Sequence, residues 1–160
     1  LLFFVAGLSV VAAFGKEFEL PRAEFAKYHR LITGRDAPAG AVGFAIDPAV
    51  SSSGKDAYRI RSEGNGVKIV GSNLRSVHYG LYDFLERRGG CRWFWDGDRI
   101  PCGDLPFADI SICEAPRFEY RGIRYFAHRS LHRFQAEQWG FEDWKTEIDC
   151  IVSQVRNILL

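Results

Sequence analysis

Apolar positions along the chain change their period several times, and each change marks an element. Between Pro21 and Ile32, the residues Phe25, Tyr28 and Ile32 recur at helical spacing. Pro21 suits a first turn, where its missing N–H costs nothing, and Gly34 suits an exit, so a helix is expected over this stretch. Arg35 to Gly40 reads as a turn. Val42, Phe44 and Ile46 then alternate with small residues, the period of a strand. Pro48 to Gly54, with three serines, reads as a surface loop. Tyr58 and Ile60 alternate with Arg59 and Arg61, and Val67 and Ile69 flank Lys68. Glu63-Gly64-Asn65-Gly66 lies between these runs. Gly and Asn tolerate positive φ, so the pair is expected to be a hairpin.

Ser72 or Asn73 can cap a second helix, because a short polar side chain can accept from the first free N–H groups. Leu74, Val77, Leu81, Phe84 and Leu85 would form its apolar stripe, and Gly89-Gly90 its end. Cys91 to Trp95 is a short aromatic strand, Asp96 to Pro106 is rich in turn residues, and Asp109 to Cys113 alternates as a further strand. A hairpin plus two helices that must each bury one face makes a two-layer α/β sandwich.

Beyond Glu114-Ala115-Pro116 the pattern changes. Phe118 to Phe126 reads as strand, Phe141 to Val155 as helix, and Asn157 to Leu160 as the start of another strand. Trp144, Ile148, Ile151, Val152 and Val155 fall on one side of that helix, and Glu142 and Asp143 place negative charge at its N-terminus. A β-α-β run of this kind opens a parallel barrel or a doubly wound sheet.

Composition adds limits rather than an activity. The charge is +1, from 21 basic and 20 acidic residues with no basic face, so nucleic acid is not an expected partner. The chain holds no Met, and it opens on LLFFVAGLSVVAAFG. That apolar run ends in small residues and is shorter than the ~20 residues of a membrane span. It reads as residues 1–15 of a partial signal peptide, with Ala13-Phe14-Gly15 as the cleavage site; a buried strand or an uncleaved anchor is the alternative. A secreted or periplasmic location is therefore expected. Export permits disulfides. Cys102 and Cys113 flank a Gly/Pro-containing stretch and could pair, or Cys91, Cys102, Cys113 and Cys150 could all be buried thiols.

Three patterns carry candidate chemistry. Gly64-Asn65-Gly66 with Gly71 resembles a dinucleotide loop, but these glycines precede a strand, and a hairpin turn accounts for them. His128 and His132 have the i, i+4 spacing of a zinc helix, but Arg129 stands where H-E-x-x-H has Glu, and no third ligand is evident. No metal and no cofactor is expected. The third pattern is RYFAHRSLHRFQAEQW, residues 124–139, where an apolar strand runs into a dense polar stretch. If 118–126 is the first strand of a barrel, His128 and Ser130 lie just past its C-terminal end, the face where such barrels build active sites. The alternative is a loop histidine and serine bonded to solvent. Glu137, Glu142 and Asp143 are candidate acids by type alone, and the last two serve equally as charges at a helix start. The aromatic content, 14%, suits carbohydrate stacking and also suits a Phe-rich core.

Two blocks carry a family resemblance. The stretch DAYRIRSEGNGVKIVGSNLRSVHYGLYDFLERRGGCRWFW, residues 56–95, resembles the small domain that precedes the barrel in α-N-acetylglucosaminidases, β-hexosaminidases and α-glucuronidases. Its features are the hairpin, the helix carrying R-x-x-x-Y-G-L-Y-D-F-L-E, and G-C-R-W-F. Residues 118–160 are similar to the start of the α-N-acetylglucosaminidase barrel, in Arg124-Tyr125-Phe126, Trp139, Trp144, Glu147-Ile148-Asp149 and Asn157 to Leu160. Members place Asn and Cys after the first strand, where they touch the sugar. This chain has His128 and Ser130 there, and Cys150 where members have Trp after E-I-D.

The resemblance implies a three-part organisation: residues 1–15 a partial signal peptide, 16–115 an α/β hexosaminidase-type N-terminal domain, and 116–160 the start of a truncated (β/α)₈ barrel. It implies a secreted glycoside hydrolase acting on terminal sugars, most closely an α-N-acetylglucosaminidase, with a carbohydrate substrate and two carboxylates on later barrel strands beyond Leu160. His128 and Ser130 would contact sugar hydroxyls, and Trp139 would stack or wall the site. An α-glucuronidase, with Arg129 or Arg133 receiving the sugar carboxylate, is one alternative. A non-catalytic carbohydrate-binding or assembly module is the other.

Overall fold

The computed structural model describes residues 16–51, 56–94, 97–116 and 139–154. Helix α1 spans Glu19–Thr33 and α2 spans Leu74–Gly89. The strands are β1, Val42–Ile46; β2, Tyr58–Glu63; β3, Gly66–Gly71; β4, Arg92–Phe94; β5, Gly97–Arg99; and β6, Ser111–Glu114. A third helix, α3, spans Phe141–Gln154. The opening apolar run, the expected strand at 118–126 and the expected strand at 157–160 lie outside the described residues. The barrel reading therefore rests on α3 alone among the described elements.

Helix α1 forms where the apolar period placed it. Phe25, Tyr28 and Ile32 are all buried, and Gly34 closes the helix in the left-handed region, its N–H donating to Arg30 O. Helix α2 starts with a reciprocal cap. The Asn73 side chain accepts from Ser76 N at 2.9 Å, and Ser76 Oγ accepts from Asn73 N at 3.0 Å. Val77, Leu81, Phe84 and Leu85 have no exposed surface. Leu74 departs from the expected stripe and is partly exposed, because it stands at the helix's first residue, ahead of the sheet contact.

The β2–β3 hairpin has a two-residue turn, Gly64-Asn65, in which only Gly64 takes positive φ, +58°. That is the pattern of a type II′ turn, with Gly at the first central position. Four strands form one sheet in the order β1-β3-β2-β6. Strand β1 runs parallel to β3, and β2 runs antiparallel to both β3 and β6. Tyr58, Ile60, Val67 and Ile69 point to one face and are buried, while Arg61 and Lys68 point to the other and are exposed. Helix α2 packs on the buried face and α1 packs beside α2, with Phe25, Tyr28 and Ile32 in the same apolar core as Ile60 and Ile69, so a mixed α/β fold forms. Ile60 and Ile69 sit opposite each other in the register with no exposed surface, each contributing about 1.5–3 kcal/mol of burial.

Helix α2 lies unusually close to the sheet at Gly80. A Cβ there would sit 2.8 Å from Ile69 Cγ2 and 3.2 Å from the Tyr58 ring. The absence of a side chain sets the layer spacing at this point.

Two strands differ from the sequence pattern. Strand β6 starts at Ser111 rather than Asp109, because Asp109 takes φ +55°, a left-handed conformation that Asp tolerates and a strand does not. Residues 97–99 read as turn, yet they form β5, which pairs antiparallel with β4 in a separate two-stranded sheet. Gly97-Asp98-Arg99 has no apolar alternation to announce a strand. Of the two alternatives the sequence left open, Cys91, Cys102 and Cys113 are free thiols rather than a Cys102–Cys113 pair, but only Cys91 is buried. Gly103 N–H, bonded to Ile32 O at 2.8 Å, holds Cys102 beside the end of α1, while Cys113 lies in β6 opposite Arg59.

Candidate functional site

Of the three residues singled out for sugar contact, His128 and Ser130 lie outside the described residues. Trp139 is described. It precedes α3, is half-buried, and meets Trp144 edge-to-face, with centroids 4.9 Å apart at 78°. Gly140 N donates to Asp143 Oδ2 at 2.9 Å, so Asp143 satisfies a free donor at the helix start. Glu142 and Asp143 thus occupy the first turn, where the helix dipole favours negative charge.

Helix α3 lies beside α2 and β4. Its residues Phe141, Trp144 and Ile148 share one side at 3.6-residue spacing, and all three are exposed; Phe141 is 78% exposed. Phe94 on β4 is also exposed, whereas Trp93, its neighbour in the strand, points inward.

Trp93 anchors an aromatic cluster. Trp93 Nε1 donates to Tyr28 Oη at 2.9 Å, and Tyr28 Oη donates to Asp98 Oδ2 at 3.4 Å. Tyr28 and Tyr82 meet the Trp93 ring edge-to-face at 5.6 and 4.9 Å. Tyr82 Oη donates to Glu24 Oε2 at 3.0 Å. Carbohydrate stacking needs an open ring face, and Tyr28 and Trp93 are 3% and 8% exposed. These rings belong to the core, tying β4 to the two helices. Burial, reinforced by the Asp98 and Glu24 charges and opposed by the Trp93 hydrogen bond, pushes the Tyr28 phenol up to about 12.

Two buried carboxylates escaped the sequence reading. Asp83 has no exposed surface. It accepts from Tyr58 Oη at 3.0 Å and from Arg87 Nε at 2.8 Å, and Arg87 reaches on to Glu114 Oε1 at 2.9 Å. Asp56 accepts from Asn73 Nδ2 at 2.7 Å and, bidentately, from Arg75 at 2.9 and 3.0 Å. That hydrogen bonding raises the Arg75 guanidinium pKa further. Both carboxylates accept from a cation and a neutral donor, an arrangement that suits locking helix to sheet. The signal for Asp83 was an acid within an apolar stripe with Arg four residues on.

Two further groups are perturbed. Burial lowers the His78 pKa, with Glu24 partly offsetting it. Burial, aided by Asp98, pushes the Cys91 thiol up to about 11. Among the described residues, no group of three His, Cys, Asp or Glu side chains could hold a metal ion. No helix among them is long and apolar enough to cross a membrane.

Residues 28–106 match the family model for the alpha-N-acetylglucosaminidase (NAGLU) N-terminal domain. No curated protein matches the chain. Among solved structures, the chain is similar to the family 89 glycoside hydrolase from Clostridium perfringens. In the complex with PUGNAc, identity is 17%, TM-score 0.60, and the match covers 82% of this chain and 14% of that one. The values are the same for that organism's CpGH89, a double glutamate-to-glutamine variant in complex with its substrate GlcNAc-alpha-1,4-galactose. In the complex with 2-acetamido-1,2-dideoxynojirmycin they are 17%, 0.61, 83% and 15%. The likeness is one of fold, and the chain spans about one seventh of the length of these structures.

Proposed function

We propose that this chain, whose residues 28–106 match the alpha-N-acetylglucosaminidase N-terminal domain, is part of a secreted glycoside hydrolase that removes terminal α-linked N-acetylglucosamine from glycans. The family match of the sandwich carries the reading. Among the described residues, the buried carboxylates Asp56 and Asp83 are committed to Arg75 and Arg87, which favours a structural part for this domain. Its part is to bury its own core and to hold β4 and α3 in place.

In this reading α3 is the first helix of a (β/α)₈ barrel. His128 and Ser130 hydrogen-bond sugar hydroxyls, and Trp139 walls the site beside them. The reaction runs through a carboxylate pair, which this reading places on strands beyond Leu160. No cofactor enters it.

Assaying the complete gene product against 4-nitrophenyl α-N-acetylglucosaminide and 4-nitrophenyl α-glucuronide tests the proposal. Hydrolysis of the first, with His128→Ala and Trp139→Ala raising KM, is expected. Turnover of the glucuronide alone, or of neither substrate by a folded protein, overturns it. Residues 1–160 by themselves are expected to turn over neither; activity that survives purification and vanishes on Glu137→Gln would contradict this.

A further inference from the structure

We draw no further inference here: the strongest candidate, the apolar patch that Phe141, Trp144 and Ile148 form on one side of α3 near Phe94 of β4, carries nothing because nothing in the structure shows what covers it.

Discussion

Tyr58 of β2 donates its phenol to Asp83 of α2 at 3.0 Å, inside a core where Asp83 has no exposed surface. The same carboxylate takes Arg87, and Arg87 takes Glu114 at the end of β6. One buried charge thus joins the helix to two strands. Removing one partner of such a group leaves the others desolvated and unpaired, which costs more than the net worth of the pair. Asp83→Ala is expected to destabilise the fold by about 3–5 kcal/mol, and Tyr58→Phe by about 1–2 kcal/mol. Urea unfolding of the two variants measures both. Equal, small losses would show that the network is not held as described.

His78 makes the fold sensitive to acid. Its folded-state pKa is lowered by burial, and the Glu24 charge only partly offsets this. Both states are neutral above the ordinary histidine value of about 6.5. Below it the unfolded chain takes up the proton first, so stability falls as pH drops through 6.5 towards the lowered folded value. His78→Gln is expected to flatten this part of the stability–pH curve relative to the parent between pH 7.5 and 5. Two parallel curves over that range would count against it.

Thiol chemistry should divide the cysteines by burial. The Cys91 thiol is pushed up to about 11, so at pH 8 it is neither reachable nor ionised. Cys102 and Cys113 are exposed thiols. Iodoacetamide at pH 8 followed by peptide mass spectrometry should modify Cys102 and Cys113 within minutes and Cys91 only after denaturant is added. Cys91 labelling at a matching rate in the native protein would refute the burial.

Helix α3 should exchange its amides faster than α2. Helix α2 buries Val77, Leu81, Phe84 and Leu85, while Phe141, Trp144 and Ile148 of α3 are exposed, and an isolated helix of this length gains little from propensity alone. Hydrogen exchange of residues 1–160 is expected to show strong protection across Val77 to Leu85 and weak protection across Trp144 to Gln154. Equal protection would mean that α3 is covered in the isolated chain.

Much of the sandwich was legible in the sequence because its signals are local. Gly64 set the turn, Asn73 the cap, Gly34 and Gly90 the helix ends, and Tyr58, Ile60, Val67 and Ile69 the buried face. What was not legible depends on partners distant in sequence. The parallel pairing of β1 with β3 leaves no mark on Val42 to Ile46, since an edge strand reads alike whichever neighbour it takes. Strand β5 was hidden because Gly97-Asp98-Arg99 owes its conformation to β4. Asp83 was hidden because its donors come from β2 and from a later turn of α2. For the candidate site, the sequence supplied a location and residue types. Trp139 is found at the foot of α3 against Trp144, while His128 and Ser130 rest on the proposal.

The strand order fixes how the sheet can assemble. Because β3 lies between β1 and β2, strand β1 pairs across a longer stretch of chain than the β2–β3 hairpin does, although it precedes both. Strand β6 must then arrive from far downstream, past α2, to pair with β2. The hairpin closes its ends across two residues, and every later pairing closes a longer loop at greater entropic cost. Substitution of Gly64 is therefore expected to slow formation of the sheet, and loss of β6 contacts to speed its unfolding.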